Sequence, residues 1–434
     1  MATISLDRKE PVVSFPFSPD IDLDFVNGVY TGVVGAPSSF LTTTRANAGS
    51  TDLLFNAAPG AAYNTFAANV PRITPGKGLL AEESKINRLL NSNAPVTQTT
   101  AILSTGAYVL WVNGTGSATS SAGTATGTGF GVATNGNPNF FTLTGSGTVV
   151  VTVAGSLNAF QLEAGTYPTS LIINAGSVIT RNVDGIVLTT PPVFGTAYSI
   201  AANVFFNMPV GYNQTQYPGE LDDGTANNRV ATLRNPNSSI GAMFTVSGGV
   251  QTSISNFGRI YSQGFNQFAI SCTAGVQFGS TNGLVIINQA TGSLPIGINT
   301  VRLGATAGPT APLDGYIQEF AVWATVALNS LQTQIAAGFV PQVFPSPTSQ
   351  RPIFVRNVLT RKIRGYNNTT DLYGGGSFFT FAGFDPGIYE IGNFSGGAIS
   401  VLVGSTTYSV ADQSFATFNV HPEIGMGLRN VGRA

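Results

Sequence analysis

Acidic residues come closest to forming a reactive site in the segment ELDDGTANNR, which contains Glu220, Asp222 and Asp223. Glycoside hydrolysis commonly uses two carboxylates about 5–9 Å apart, one of them with a raised pKa. An Asp-Gly step favours a tight turn, so the simplest role of Asp222 and Asp223 is to stabilise a turn that follows a strand. A calcium site is the alternative, with oxygen ligands from Asp222, Asp223 and Asn227. Catalysis is the least supported of the three interpretations.

Two isolated arginines, Arg45 and Arg72, lie in a stretch of the chain with few other charges. A guanidinium in that context could donate hydrogen bonds to several backbone carbonyls of a partner chain; an ordinary surface arginine is the alternative. Glu82 and Glu83 follow in GLLAEESKINRLLN, where the spacing of the leucines predicts a short helix over residues 79–91. The two glutamates would suit the positive end of such a helix, so no catalytic pair is expected there.

Aromatic side chains that flank polar turns are the candidates for contacts with sugars. Sugar rings stack on aromatic faces and form hydrogen bonds with amides and carboxylates. Trp111 lies in YVLWVNG, and three tyrosines lie beside segments rich in Asn and Gln: Tyr212, Tyr217 and Tyr261. A position in the core is the alternative for Trp111, as it is for Trp323, because both tryptophans fall within strand-like segments.

The counts of cysteine, histidine and charged residues exclude several classes of site. The single cysteine, Cys272, and the single histidine, His421, leave no disulfide framework and no Cys/His zinc site. The formal net charge is −1, so there is no basic field for nucleic acid. Charged residues make up 9% of the 434 residues, against roughly 25% in an ordinary soluble domain. A neutral surface of hydroxyls and amides lacks the repulsion that keeps free proteins apart, so we expect burial in an assembly.

Apolar segments long enough for a membrane or a secretion signal are not apparent. No run of about 18 apolar residues occurs, and the first residues, MATISLDRKEPVV, lack the apolar core of a secretion signal. We therefore expect neither membrane insertion nor a Sec signal.

Short β-branched and aromatic runs bounded by Gly, Asn, Pro and Thr occur along the whole chain, for example TVVVTVAG, YSIAANVFFN and YIQEFAVWA. Such runs without intervening helices predict an all-β protein built of tandem antiparallel β-sandwiches. A second short helix is predicted over residues 329–337.

Composition predicts four regions. Residues 1–78 contain many prolines between weak strands, which favours an extended N-terminal docking arm. Residues 79–173 and 174–343 each contain enough strands for a sandwich, and residues 344–434 form a small C-terminal β module. Within the first sandwich, the Gly/Thr/Ser tract over residues 114–129 is expected to form edge strands and tight loops.

A pattern of single residues runs through the predicted arm and resembles that of virion proteins of tailed bacteriophages, written FxRxSA, AANxPR and GLLxExxxxNLLxxS. Arg88 departs from it, because an apolar residue is more usual there. The matching residues are Phe40, Arg45, Ala46, Asn69, Pro71, Arg72, Gly78, Leu79, Leu80, Glu82, Asn87, Leu89, Leu90 and Ser92.

The two predicted sandwiches resemble modules that such proteins carry. Residues 79–173 are similar to a jelly roll of the carbohydrate-binding-module type, and residues 174–343 look like a laminin-G or concanavalin A-like sandwich that ends in LDGYIQEFAVWATVALNSLQTQIAA. The C-terminal module resembles no family that we can name.

The resemblance implies a structural protein on the surface of a phage particle, of the tail-fibre or head-fibre type. It would dock through Arg45, Arg72 and the rest of the arm, contact other virion proteins, and attach to host-surface glycan without cleaving it. A homotrimer is expected by analogy with fibres and spikes. A purely architectural decoration protein is the alternative, and a polysaccharide depolymerase is a weaker one. No cofactor other than calcium is expected.

Overall fold

The structure is a computed structural model that describes residues 18–46, 50–52, 57–207, 215–235, 240–259, 264–283, 287–289, 293–308, 312–338, 353–357, 363–366, 379–380, 387–393, 398–403, 406–410 and 414–420. The chain divides into two compact units, Met1–Val340 and Pro341–Ala434, close to the predicted boundary between residues 343 and 344.

The first unit is built almost entirely of strands, as the β-branched runs predict. Two short helices accompany them, α1 (Pro37–Phe40) and α2 (Ser330–Ala336). Its strands are β1 (Ile21–Asp24), β2 (Val29–Thr31), β3 (Leu41–Thr44), β4 (Ser50–Thr51), β5 (Thr65–Phe66), β6 (Ile73–Thr74), β7 (Gly78–Ala81), β8 (Lys85–Asn87), β9 (Gln98–Thr99), β10 (Gly106–Gly114), β11 (Ser117–Ala122), β12 (Thr126–Thr128), β13 (Val132–Thr134), β14 (Asn139–Gly145), β15 (Val149–Ala154), β16 (Leu157–Ala164), β17 (Ile179–Arg181), β18 (Gly185–Leu188), β19 (Ala197–Phe206), β20 (Gln216–Asp222), β21 (Arg229–Arg234), β22 (Ile240–Ser247), β23 (Val250–Arg259), β24 (Gly264–Thr273), β25 (Val276–Thr281), β26 (Ile287–Gln289), β27 (Thr300–Leu303) and β28 (Gly315–Trp323).

Two antiparallel sheets form a large sandwich in this unit. The first sheet has the order β2-β1-β28-β19-β24-β25-β26, with β7 beside β28 and β6 beside β7. The second sheet has the order β23-β22-β21-β20-β27-β18-β3. One apolar core lies between them, to which Ile200 and Phe320 contribute from the first sheet and Leu221 and Met243 from the second. The prediction of antiparallel sandwiches is confirmed.

The segment expected to be an extended arm contributes strands to both of these sheets. Leu23 on β1 lies opposite Phe320 on β28, and Leu41 on β3 lies opposite Leu188 on β18. Alternate residues of β1 and β3 are buried, because the apolar side chains of these weak strands face the shared core. From residue 18 onward the structure therefore differs from a free arm.

A second, smaller sandwich is inserted between β7 and β18. It has two antiparallel sheets, β12-β14-β10-β16 and β13-β11-β15-β9, around its own apolar core. The chain enters and leaves it through β8 and β17, which pair with each other. The Gly/Thr/Ser tract supplies β12, an edge strand as expected, and β11, which lies inside its sheet.

The structure overturns one of the two helix predictions. Residues 79–91 contain β7 and β8 and no helix, because Leu79 and Leu80 extend the first sheet beside Ile317 and Tyr316. The other prediction is confirmed by α2, where Asn329 and Gln332 form a capping box.

The outer face of the first sheet is covered at two places. Trp111 of the small sandwich lies in an apolar cluster with Phe205 and Tyr316 of this sheet. The C-terminal part of α2 packs on Trp323 and neighbouring alanines of the same sheet. Both tryptophans are therefore buried between layers, and neither covering layer involves the second sheet.

The second unit is a small β module, as predicted. Its strands are β29 (Ile353–Asn357), β30 (Ile363–Tyr366), β31 (Phe379–Thr380), β32 (Gly387–Asn393), β33 (Ile399–Val403), β34 (Thr406–Val410) and β35 (Ser414–Val420). They form the sheets β30-β29-β32-β35 and β31-β33-β34, with a core that includes Tyr389, Ile391, Val401 and Phe418. The pairing of β31 with β33 is parallel.

Among the residues that the structure describes, no helix has the length and apolar character of a membrane span.

Candidate functional site

The outer face of the second sheet carries two carboxylates and two guanidinium groups. Successive residues of a strand point to opposite faces, so with Leu221 in the core, Glu220 and Asp222 on β20 face outward. Arg229 on β21 lies opposite Asp222, and Arg302 on β27 lies opposite Glu220. We call these four residues the charged face.

The neighbouring Gly219 explains why β20 can lie so close to the core. A Cβ atom at this position would collide with the aromatic ring of Phe320. The register of β20 against β21 also shifts between Gln216 and Gly219, which marks a β-bulge just before the charged face.

The ion pairs of the charged face run diagonally across β20. Arg302 donates from Nε to Asp222 Oδ2 at 2.6 Å and from Nη2 to Asp222 Oδ1 at 3.1 Å. Arg229 donates from Nη1 to Glu220 Oε2 at 3.3 Å, and the backbone N–H of Ala307 donates to Glu220 Oε1 at 2.8 Å. Both carboxylate side chains are fully buried, whereas those of Arg229 and Arg302 are 18% and 16% exposed. The acids thus anchor two guanidinium groups that still reach solvent.

Burial sets the protonation of the two acids. It raises the pKa of Glu220 to about 7, with a smaller upward contribution from Asp222 and opposing ones from Arg229 and the Ala307 N–H. Burial also raises the pKa of Asp222, against the hydrogen bonds and charge of Arg302. Near neutral pH, Glu220 is therefore close to half protonated.

Two aromatic side chains adjoin these charges. The guanidinium carbon of Arg229 lies 4.9 Å from the centre of the Phe244 ring on β22, within the range of a cation–π contact. Tyr217 on β20 is partly exposed; burial raises the pKa of its hydroxyl, and Arg229 and Glu220 are the charged groups that act on it next. The predicted sugar contact Tyr217 therefore lies beside the charged face.

The turn after β20 is built as the Asp-Gly step predicts. Asp223 Oδ1 accepts hydrogen bonds from the N–H and hydroxyl of Thr225 at 2.9 and 2.6 Å, and its Oδ2 accepts one from Asn228 Nδ2 at 2.8 Å. Asp222 Oδ1 accepts another from the Gly224 N–H at 2.7 Å.

The carboxylate oxygens expected as calcium ligands form hydrogen bonds within the chain. Both carboxylate oxygens of Asp222 are paired with Arg302, and Asp223 is engaged by its own turn. In the described part of the chain there is no group of three or more His, Cys, Asp or Glu residues that could hold a metal ion.

The predicted docking arginines, Arg45 and Arg72, lie elsewhere, in a cluster that we call the buried junction: Arg45, Arg72, Glu82, Arg181 and Asp184. Arg45 Nη1 lies 3.0 Å from Asp184 Oδ1, and Arg72 pairs with both Asp184 and Glu82, the latter at 2.8 Å. Arg181 adds a contact of 3.2 Å to Glu82. All five side chains are buried. Both arginines thus bond within their own chain, in contrast to the expected contacts with a partner.

Charge complementarity keeps Glu82 of the buried junction in its ionised form. Arg181, Arg72 and the hydrogen bonds from Ser170 lower the pKa of Glu82 to about 2 and outweigh the effect of burial. Arg45 also donates to the backbone carbonyl oxygens of Ala67 and Val70, and Arg72 to that of Thr51. The cluster ties together the N-terminal segment and the two chain segments that enter and leave the small sandwich.

The remaining predicted residues are placed as follows. Trp111 is 1% exposed, and its side chain is buried between the small sandwich and the first sheet. A sugar does not reach it there. Tyr212, Tyr261 and His421 lie outside the described residues. Cys272 is buried, which raises the pKa of its thiol well above the usual range.

Sequence reasoning missed Arg229, Arg302 and Phe244. The signal for the two arginines is a cation in a strand of mostly uncharged residues: Arg229 and Arg234 are the only charged residues of RVATLR, and Arg302 is the only one of TVRL. This signal can be recognised only from the strand register, which places β21 and β27 on either side of β20 and next to its acids.

No protein-family model matches this chain, and no curated protein matches it. Solved structures with some similarity include the CBM40 module of the Ruminococcus gnavus IT-sialidase bound to alpha2,6 sialyllactose, at 16% identity over 34% of this chain and 85% of that one, with a TM-score of 0.28. Domain 4 of AbnA, a GH43 extracellular arabinanase from Geobacillus stearothermophilus in complex with arabinotriose, shows 16% identity over 40% and 82% of the two chains, with a TM-score of 0.28. The NanB sialidase from Streptococcus pneumoniae shows 13% identity over 53% and 36%, with a TM-score of 0.28. At 13–16% identity and a TM-score of 0.28, these similarities carry no conclusion about the function of this chain.

Proposed function

We propose that this chain is a structural protein of a tailed-phage particle that binds host-surface glycan through the charged face and does not cleave it. The observation that carries the binding role is the pair of partly exposed guanidinium groups fixed by buried carboxylates beside Phe244 and Tyr217. Sugars combine hydrogen-bonding hydroxyl groups with apolar ring faces, and such a surface offers a partner for each.

The commitment of the acids to arginines argues against hydrolysis. A glycosidase needs one carboxyl group as a proton donor and a second as nucleophile or base, both reaching the scissile bond. Glu220 has a suitably raised pKa, but both acids are fully buried, and Asp222 is held by two bonds from Arg302. The guanidinium groups, and not the carboxylates, face solvent.

The particle role rests on the sequence. The pattern that resembles that of phage virion proteins runs through residues 40–92, and the low charge suits surfaces that are covered by neighbours. By analogy with fibres and spikes, the assembly is a homotrimer in contact with other virion proteins. An architectural decoration protein without glycan binding is the second candidate, favoured by the same scarcity of charge.

A glycan array probed with the full chain tests the binding role. We expect retention on a subset of glycans and a loss of about tenfold or more in Tyr217→Ala and Phe244→Ala, at unchanged melting temperature within a few degrees. Tyr63→Ala, on the opposite side of the first sheet near the small sandwich, is the matched aromatic control. Silence on the array, with the protein present in purified particles, would support the architectural alternative.

The particle role has its own test. Because β1 and β3 belong to the large sandwich, deletion must stop short of residue 18 to leave the fold intact. We expect the chain without residues 1–17 to fold and to be missing from particles. Incorporation at the normal level would contradict docking through this segment.

A further inference from the structure

The two arginines of the charged face retain N–H groups for which the described residues supply no acceptor. Arg302 donates hydrogen bonds from Nε and Nη2 to Asp222, and Arg229 donates one from Nη1 to Glu220. In the described part of the chain Nη1 of Arg302 and Nη2 of Arg229 form no hydrogen bond. Nε of Arg229 also lacks an acceptor, but it is buried and out of reach of a ligand. The two Nη groups, as donors of charged guanidinium groups, are therefore the binding capacity that this face offers to a ligand.

The positions of these groups are fixed before any ligand arrives. Arg302 is held by two bonds to a buried carboxylate, and Arg229 is held by Glu220 on one side and by the ring of Phe244 on the other. A ligand therefore meets ordered guanidinium groups and does not have to order them, which lowers the entropic cost of binding.

We infer that Arg229 and Arg302 form a subsite for the carboxylate of an acidic sugar, and that Glu220 competes with that carboxylate for Arg229. This inference rests on the proposed glycan binding and names the class of sugar. A guanidinium binds a planar carboxylate through two parallel N–H bonds, whereas a neutral hydroxyl offers a single acceptor site of lower charge.

The competition follows from the charges that face one another. With Glu220 and Asp222 ionised, the four groups of the charged face sum to zero. When Glu220 takes up a proton, Asp222 remains paired with Arg302 and Arg229 loses its counter-ion. The site then carries one net positive charge, located at Arg229. The other charged or titratable groups nearby are Tyr217 on the same strand and Asp223 in the turn.

Binding of a carboxylate should therefore be coupled to uptake of a proton by Glu220. Because the pKa of Glu220 lies near 7, affinity for an acidic sugar should increase as the pH falls from about 8 to about 6. A neutral sugar should show no such dependence.

The test uses the full chain and three immobilised acidic polymers, polygalacturonate, hyaluronate and polysialate, each beside its carboxyl-reduced form. Binding is measured at pH 6, 7 and 8 for the wild type, Glu220→Gln, Asp223→Asn and Arg229→Lys. Glu220→Gln keeps an acceptor for the Ala307 N–H and removes the competing charge. Asp223→Asn removes one charge close by, from a residue whose oxygens serve only the turn.

We expect at least one acidic polymer to be retained and its reduced form to be lost. Glu220→Gln should bind it about three- to tenfold more tightly at pH 8 and lose the pH dependence, Asp223→Asn should change affinity by no more than about twofold, and Arg229→Lys should weaken binding by about tenfold. Equal retention of the acidic and reduced forms, or equal effects of Glu220→Gln and Asp223→Asn, would overturn the subsite. If the array shows binding to neutral glycans only, the subsite fails while the proposed function stands; if no glycan binds, both fail.

Discussion

The buried junction and the charged face are built from the same residue types and differ in how far water reaches them. The junction holds three arginines and two acids, all nearly inaccessible, and Glu82 stays ionised because two arginines surround it. The charged face holds two arginines and two acids, of which only the acids are sealed, and Glu220 has a pKa near neutrality. In this chain the location of an arginine, and not its presence, separates a structural ion pair from a group that can meet a ligand.

Both clusters contain charged residues, which are scarce in this chain. Charged residues are only 9% of the chain, yet both clusters bury carboxylates: Glu82 and Asp184 in the junction, and Glu220 and Asp222 on the charged face. Unpaired charges in such surroundings would be costly, so each carboxylate is matched to a guanidinium. Only the charged face leaves part of that pairing open to solvent.

The largest effect is expected from removing one arginine of the junction. Arg72→Met should lower the free energy of unfolding of the first unit by about 3–5 kcal/mol, because it leaves Glu82 and Asp184 buried with fewer partners. Chemical denaturation measures it. Lys77→Met, which removes a cation that is 26% exposed, should cost no more than about 0.5 kcal/mol. Equal losses of unfolding free energy in the two variants would contradict the distinction between buried and exposed ion pairs.

The same isosteric change should act differently in the two clusters. Glu82→Gln removes an ionised acid that accepts hydrogen bonds from Ser170 and Arg72, and should destabilise the protein by about 2–4 kcal/mol at pH 7. Glu220→Gln replaces an acid that is close to half protonated at this pH, and should change stability by less than about 1 kcal/mol. Thermal denaturation of the pair at one pH decides whether the electrostatic contrast is real.

The pH dependence of stability should show the two acids in separate windows. The pKa of Glu220 is raised from 4.5 to about 7, so its neutral form is favoured in the folded state and stability should rise by about 2 kcal/mol as the pH falls from 7 to 4.5. The pKa of Glu82 is lowered to about 2, so its contribution is present above pH 4.5 and is lost as the pH falls toward 2. Glu220→Gln should make the rise in the first window smaller, where Asp22, with a pKa raised to about 6, also contributes, and should leave the second window unchanged; an unchanged first window would contradict the assignment.

The smallest effect should come from the ring beneath Arg229. Phe244→Leu keeps an apolar side chain and removes the cation–π contact, which should cost about 0.5–1 kcal/mol in stability and weaken binding of an acidic polymer about two- to threefold. Tyr63→Leu is the control, because Tyr63 packs near the small sandwich. A larger loss of binding than of stability would show that the ring orders Arg229 for the ligand.

The sequence predicts the all-β class, α2 and the Asp-Gly turn, because each depends on a local pattern. It does not predict that β1 and β3 join the large sandwich, since their few apolar residues gain meaning only opposite Phe320 and Leu188. The leucines after Gly78 are wrongly predicted as a helix, because the sequence does not show that they pair with β28 and are buried there.

The candidate site shows the same limit. Glu220 and Asp222 stand out as an acidic cluster, but their arginine partners come from sequence positions up to about 80 residues away. Arg45 and Arg72 stand out as isolated cations, but Asp184, which pairs with both, has no motif that links it to them. Register and long-range contacts, which a single sequence does not contain, decide both cases.

The positions of the two tryptophans have a practical consequence. Trp111 lies where the small sandwich rests on the first sheet, and Trp323 lies beneath α2 on the same sheet. Each indole is therefore an optical reporter of one contact between layers. In a Trp323→Phe chain, the fluorescence would follow the separation of the small sandwich, and in a Trp111→Phe chain it would follow the detachment of α2. The order in which these layers separate during unfolding can thus be measured without added dyes or labels.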